Sequence, residues 1–205
     1  MHTNENTLRQ EILRALIVTA SGILVGFALY GNAVFVSTLM PSQFTVCSGT
    51  AGIVYTTLKS KKRRKEWAML IVWYAIYTGQ QSMYNSSVLI RSLTCIAGMT
   101  FAVLVYNRIV IRPFANRMVL RPIFAAAIVA LVNGLLAIAL EFIAYMVYHV
   151  PFKIQLDTVM SNAHMGAIIG FAIGIGIEIA EYLIRKMHEY KGEVVTEDST
   201  QHKIE

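Results

Sequence analysis

Charge is missing from long parts of this chain. Residues 15–58 pass without one Asp, Glu, Lys or Arg, and residues 67–90 do so again. A soluble fold must put charge on its surface at closer intervals, and 56% hydrophobic against 15% charged residues is not a soluble balance. A membrane span needs about 20 apolar residues, so the first uncharged stretch has room for two spans, with Met40-Pro41-Ser42-Gln43 as the turn between them. Cysteine is scarce as well. Cys47 and Cys95 have no CxxC partner and no disulfide framework around them, and they read as small packing residues inside spans. Catalytic signatures are also missing. The sequence has no Walker A, GxSxG, HExxH, GxGxxG or CxxCH pattern, so it gives no support for hydrolytic, nucleotide-dependent or redox chemistry. His149, His164 and Asp157 match no metal-ligand spacing. The expectation is a protein that is not an enzyme and holds neither cofactor nor metal.

The apolar material arranges itself into six stretches, at about 15–39, 43–58, 67–84, 88–107, 123–148 and 162–184. With spans there, every Lys and Arg except Arg91 and Lys153 falls on one side. That is the positive-inside pattern, and it places both termini in the cytoplasm with three hairpins crossing the bilayer. The net charge of +6 therefore belongs to a membrane surface and not to a nucleic-acid site. The fold class expected is an all-α polytopic bundle in a bacterial cytoplasmic (inner) membrane. A polar segment, 1–11, precedes the transmembrane domain, 12–186, and a tail, 187–205, follows it. The tail mixes both charges without apolar periodicity and is expected to be disordered.

The last span organises the rest. Gly166, Gly170 and Gly174 recur at every fourth residue, and the next position on that stripe is Glu178. Residues four apart share a helix face. Glycine costs about 1 kcal/mol against alanine within a helix, but between membrane helices it permits close backbone approach. Gly22 and Gly26 in the first span, and Gly134 with Ala126, Ala130 and Ala137 in the fifth, offer matching small faces. The centre of the bundle is accordingly expected among spans 1, 5 and 6.

A charge inside a bilayer is costly, by about 2.5 kcal/mol or more, so ionisable residues there face the interior and have partners. Glu178 is directed inward by the glycine stripe. It could bind a cation or exchange a proton, or it could be held by a buried Arg or Tyr from another helix. Glu181 follows one turn on, with Arg185 four residues later as the expected partner. Arg91 and Glu141 stand at matching depth in spans 4 and 5, where a pair would mark a polar cavity or fix helix register. Gln80 and Gln81 end the third span, and Asn133 lies beside the small face of the fifth.

Two basic regions remain. Lys61, Lys62, Arg63, Arg64 and Lys65 form the densest charge in the chain, and Arg108, Arg112, Arg117 and Arg121 recur at intervals of four or five. Both read as contacts to anionic lipid headgroups. The first is also a candidate dock for an acidic protein partner. The leading functional expectation is binding or transport of a small solute or ion through the helical bundle. The alternative is a scaffold or sensory module acting through its basic loop and tail.

Overall fold

The computed structural model of the chain describes residues 2–30, 40–82, 86–111, 120–149 and 153–201. Every regular element among them is helical. Helix α1 covers His2–Tyr30, α2 Met40–Lys59, α3 Arg64–Ser82, α4 Ser86–Tyr106, α5 Leu120–Tyr148 and α6 Leu156–Gln201. A single π-helical turn, Asn107–Ile111, continues α4. Among the described residues, each of the six apolar stretches overlaps one of these α-helices. Among the described residues, three helical segments are long and apolar enough to cross a membrane: Leu93–Val110, Leu120–Ile143 and Leu156–Met187. These mark a membrane protein. The outward surface has the same character, with Met69, Val72 and Trp73 on α3 and Leu131, Leu135 and Phe142 on α5 all exposed. So large an apolar surface calls for lipid or a partner as its solvent.

Helix α6 lies between α1 and α5, and its pairing with α5 is the most extensive in the molecule. Helix α2 packs on α1, α3 and α4 and touches α6, while α4 closes against α5. The interior they share is formed by Val18, Ala51, Val54, Met99, Val103, Val129, Ile169, Ile173 and Ile177. The glycine stripe explains the α5–α6 pairing. A Cβ on Gly166 would stand 2.7 Å from the Val129 carbonyl oxygen, and one on Gly170 would stand 2.5 Å from that of Ala125. One on Gly174 would stand 2.7 Å from the Pro122 Cα. As α6 advances by four residues its partner on α5 retreats by three or four, so the two helices run antiparallel with backbones in contact. Gly176, off that stripe, faces Val18 and Ser21 of α1 instead.

Several expectations are corrected. Met40 to Gln43 form the first turn of α2 and not the connection before it. Proline is tolerated there because the first backbone N–H groups of a helix have no intrahelical acceptor to lose. The polar N-terminal segment belongs to α1, and Glu11, at its expected boundary, is buried. Helix α6 continues through residues 187–201, where disorder is expected. Once a helix is nucleated on a packed segment, each further residue adds a hydrogen bond at little cost. On α5 the face toward α6 is Arg121, Pro122, Ala125, Val129 and Asn133, with Gly134 at its far end, rather than the Ala126–Ala130 line. The two spacings lie one residue apart, and α6 selects the first.

Candidate functional site

The α5–α6 register continues beyond the glycines and changes character. After Gly174 the stripe reaches Glu178, and the residue preceding Pro122 on α5 is Arg121. Arg121 Nη1 donates to both carboxylate oxygens of Glu178, at 2.9 and 3.1 Å, with side chains 11% and 13% exposed. Where α6 offers hydrogen, it receives α5 backbone. Where it offers a carboxylate, it receives a guanidinium.

Three residues later Glu181 points toward the other side of α6. Its Oε1 accepts from Arg14 Nε of α1 at 3.0 Å and from the Tyr55 hydroxyl of α2, also at 3.0 Å. Tyr55 is almost wholly buried, and Lys59 Nζ stands 5.6 Å from its ring centroid. From α4 comes Tyr106, buried, whose hydroxyl has no hydrogen-bond partner among the described residues. It lies within electrostatic reach of Glu178, Arg121 and Tyr55. The π-helical turn begins at the next residue. Such turns recur at functional sites because they shift the following side chains out of α-helical phase.

Two hydrogen-bonded groups, Arg121 with Glu178 and Arg14 with Tyr55 and Glu181, lie three residues apart along α6, and with Tyr106 in electrostatic reach of both they form a polar cluster drawn from five helices. Two arginines face two glutamates, so its formal charge is zero. Buried charges of this kind persist only when paired and hydrogen-bonded. Next to the cluster, one helical turn before Arg14, Glu11 is 2% exposed and accepts from the Trp67 indole at 2.9 Å. That bond ties α1 to the first turn of α3, directly after the basic segment.

The other sequence-derived candidates are placed as follows. Arg121, expected at the headgroups, is instead buried against Glu178, because Pro122 packs on Gly174 and brings its neighbour inward. Glu181 pairs with Arg14 and not with Arg185, which is exposed one turn further along the helix. The two glutamates do not confront each other, since each has its own arginine. Arg91 lies on α4 and Gln81 on α3, both with side chains outside the described residues. Glu141 is half-buried on α5, and Gln80 is exposed. Asn133 packs over Gly166 within the α5–α6 interface. Gly22 meets Ser48 of α2, Gly26 is buried on α1, and Gly134 faces Val159 and Ala163.

In the basic segment Lys61, Lys62, Arg64 and Lys65 are exposed. Arg63 stands 3.9 Å from Glu66, and the Arg64 guanidinium reaches the Thr57 and Leu58 carbonyls at the end of α2, each at 3.4 Å. Arg108 is exposed, whereas Arg112 and Arg117 lie outside the described residues. Cys47 is buried on α2 and Cys95 partly so on α4, with the two thiols in hydrogen-bonding reach.

Sequence reasoning left Arg14, Tyr55, Tyr106 and Glu11 out of the site. Arg14 carried a signal, as the last charge before 44 uncharged residues. The tyrosines carried none, because a tyrosine at a span end serves equally well in the interfacial belt. Compared with family models, with curated proteins and with solved structures, the chain finds no match.

Proposed function

We propose that the chain is a six-span membrane protein that binds or moves a small solute or ion through its helical bundle, with the Arg14, Tyr55, Tyr106, Arg121, Glu178 and Glu181 cluster as the binding site. In this reading α1 to α6 are the six spans, and the cluster sits in the cytoplasmic half. The observation that carries it is two arginine–glutamate pairs within an apolar bundle, both acids on one helix and their partners on two others. A pair that only fixes register needs one acid and one base, and a well-packed apolar residue would do as well or better. Six polar residues from five helices, including a tyrosine hydroxyl without an acceptor among the described residues, are more than packing requires.

The test is a thermal-shift screen of the purified protein across ions, pH and metabolites. A specific ligand stabilises the folded form by RT ln(1 + [L]/Kd). A shift whose size or pH dependence changes in Glu178→Gln, in protein that still runs as a single species on gel filtration, supports the reading. Loss of folded protein in step with loss of binding makes Glu178 structural.

A second reading rests on the exposed lysines between the end of α2 and the first turn of α3. Lys61, Lys62 and Lys65 stand where an acidic partner or anionic headgroup would reach them, and Trp67 links this segment through Glu11 to α1. As a scaffold or sensor the protein would lose its partner when residues 61–65 are neutralised, with fold and topology unchanged. Undiminished co-purification counts against that role.

A further inference from the structure

On the reading that this cluster binds a solute, we propose that its ligand is a small oxyanion, a carboxylate or phosphate, which takes Arg121 from Glu178 and enters together with one proton. Glu178 is then the resident stand-in for the ligand, occupying the seat until an external anion replaces it.

The chemistry on each side of the pair selects the ligand class. A cation drawn to Glu178 would have to approach Arg121, whose Nη1 lies 2.9 Å from the carboxylate. Glu181 is screened likewise by Arg14 at 3.0 Å. The cluster therefore offers a cation no unmatched negative charge. For an anion the situation differs. A guanidinium presents several N–H donors in a plane suited to oxyanions, and here Nη1 already engages both oxygens of a carboxylate. The Tyr106 hydroxyl, buried beside this pair, has a proton to donate and no acceptor among the described residues. An oxyanion on Arg121 supplies that acceptor, and a buried polar group left unmatched is costly otherwise.

Charge balance supplies the proton. Two arginines and two glutamates sum to zero, so an added anion would leave a net negative charge in a poorly hydrated place. Glu178 is faced by Arg121 from α5 and Tyr106 from α4. Its neighbour Glu181 keeps Arg14 from α1 and Tyr55 from α2, so the displaced group is Glu178 alone. Its carboxylate takes one proton from solvent as the anion binds, and the cluster returns to zero. The Glu181 side chain is the more exposed of the two, 27% against 13% for Glu178.

The experiment uses the full chain in detergent, with thermal shift measured for sodium acetate, sodium phosphate, sodium and potassium chloride, and a short-chain phosphatidylglycerol at acidic and basic pH. Acetate or phosphate should stabilise the protein, and for acetate the apparent Kd should rise as the pH is raised. Mixing weakly buffered protein with acetate should take up one proton for each anion bound. Glu178→Gln removes both the competitor and the titrating group, so anion binding should become tighter and independent of pH. Tyr106→Phe should weaken binding and leave the pH slope intact. If Glu178→Gln does not fold, the proton count on the wild-type chain decides alone. Stabilisation by the phospholipid with no response to acetate or phosphate assigns the same oxyanion seat to a headgroup. Stabilisation by sodium, potassium or a neutral metabolite, with none by anions, overturns the oxyanion and leaves the solute site standing. Anion binding without proton uptake overturns the exchange. No response to any compound, at any pH, removes both.

Discussion

The two halves of α6 solve opposite problems. From Gly166 to Gly174 the helix removes side chains so that the α5 backbone can lie against it, and the interface is held by close packing. From Glu178 to Glu181 it carries charge into the bundle, and each charge has to be met by another helix. The first half has one good partner and tolerates almost no added volume. The second draws residues from α1, α2, α4 and α5 and can in principle exchange partners. Rigidity in one half is what lets the other hold an expensive arrangement at a fixed depth, because α5 cannot slide along α6 to relieve it.

The sharpest way to break this comparison is to remove one member of the most buried pair. Arg121→Met leaves the Glu178 carboxyl buried without its partner, and the loss should be about 3–5 kcal/mol, read as a large fall in melting temperature or as aggregation on gel filtration. Combining it with Glu178→Leu should recover most of that loss, since two apolar residues need no pairing. A double variant as unstable as the single one would show that the site is held by something other than charge matching. Recovered stability together with lost ligand response is the outcome expected of a functional pair.

The glycine half is tested by one methyl group at two positions. At Gly170 a Cβ would press on the Ala125 carbonyl oxygen at 2.5 Å, and backbone cannot turn aside. Gly170→Ala should therefore cost about 1–3 kcal/mol. At Gly134 the nearest atom is the Ala163 Cβ at 3.6 Å, an ordinary contact. There the alanine should be neutral, or stabilising by up to about 1 kcal/mol through helix propensity. Equal effects at the two sites, measured as thermal stability in the same detergent, would contradict the register described for α5 and α6.

That register was partly legible in the sequence. Glycines at every fourth residue followed by an acid specify a face, and period-four spacing survives any change in the helix's surroundings. The partners were not legible, because pairing between helices depends on which residues of a second helix come level with the acid. Arg121 looks the same whether it faces headgroups or protein; only the seating of Pro122 on Gly174 decides it. Glu181 illustrates the same gap. The local i,i+4 partner Arg185 was visible, but such a pair adds only about 0.3–0.5 kcal/mol when exposed, and a partly buried arginine from α1 prevails. The all-helical, membrane character needed only composition, whereas the assembly of the polar cluster needed three dimensions.

Smaller effects separate interior charge from surface charge. Tyr55→Phe deletes one hydrogen bond to Glu181 but leaves Arg14 in place. With Glu181 partly open to solvent, the loss should be about 1 kcal/mol, the lower part of the range for bonds to charged groups. Arg63→Ala is the smallest case. Its pair with Glu66 spans 3.9 Å, and Glu66 is 71% exposed, so water already solvates both charges well. Removing it should change stability by less than about 0.5 kcal/mol. The Arg63 backbone N–H still donates to Ser60 Oγ, so the α2–α3 turn keeps its own bond when the side chain is cut. If Arg63→Ala instead unfolded the protein as Arg121→Met does, then the α2–α3 connection would be as buried in the working molecule as the Glu178 pair, and the contrast between the two kinds of arginine would fail.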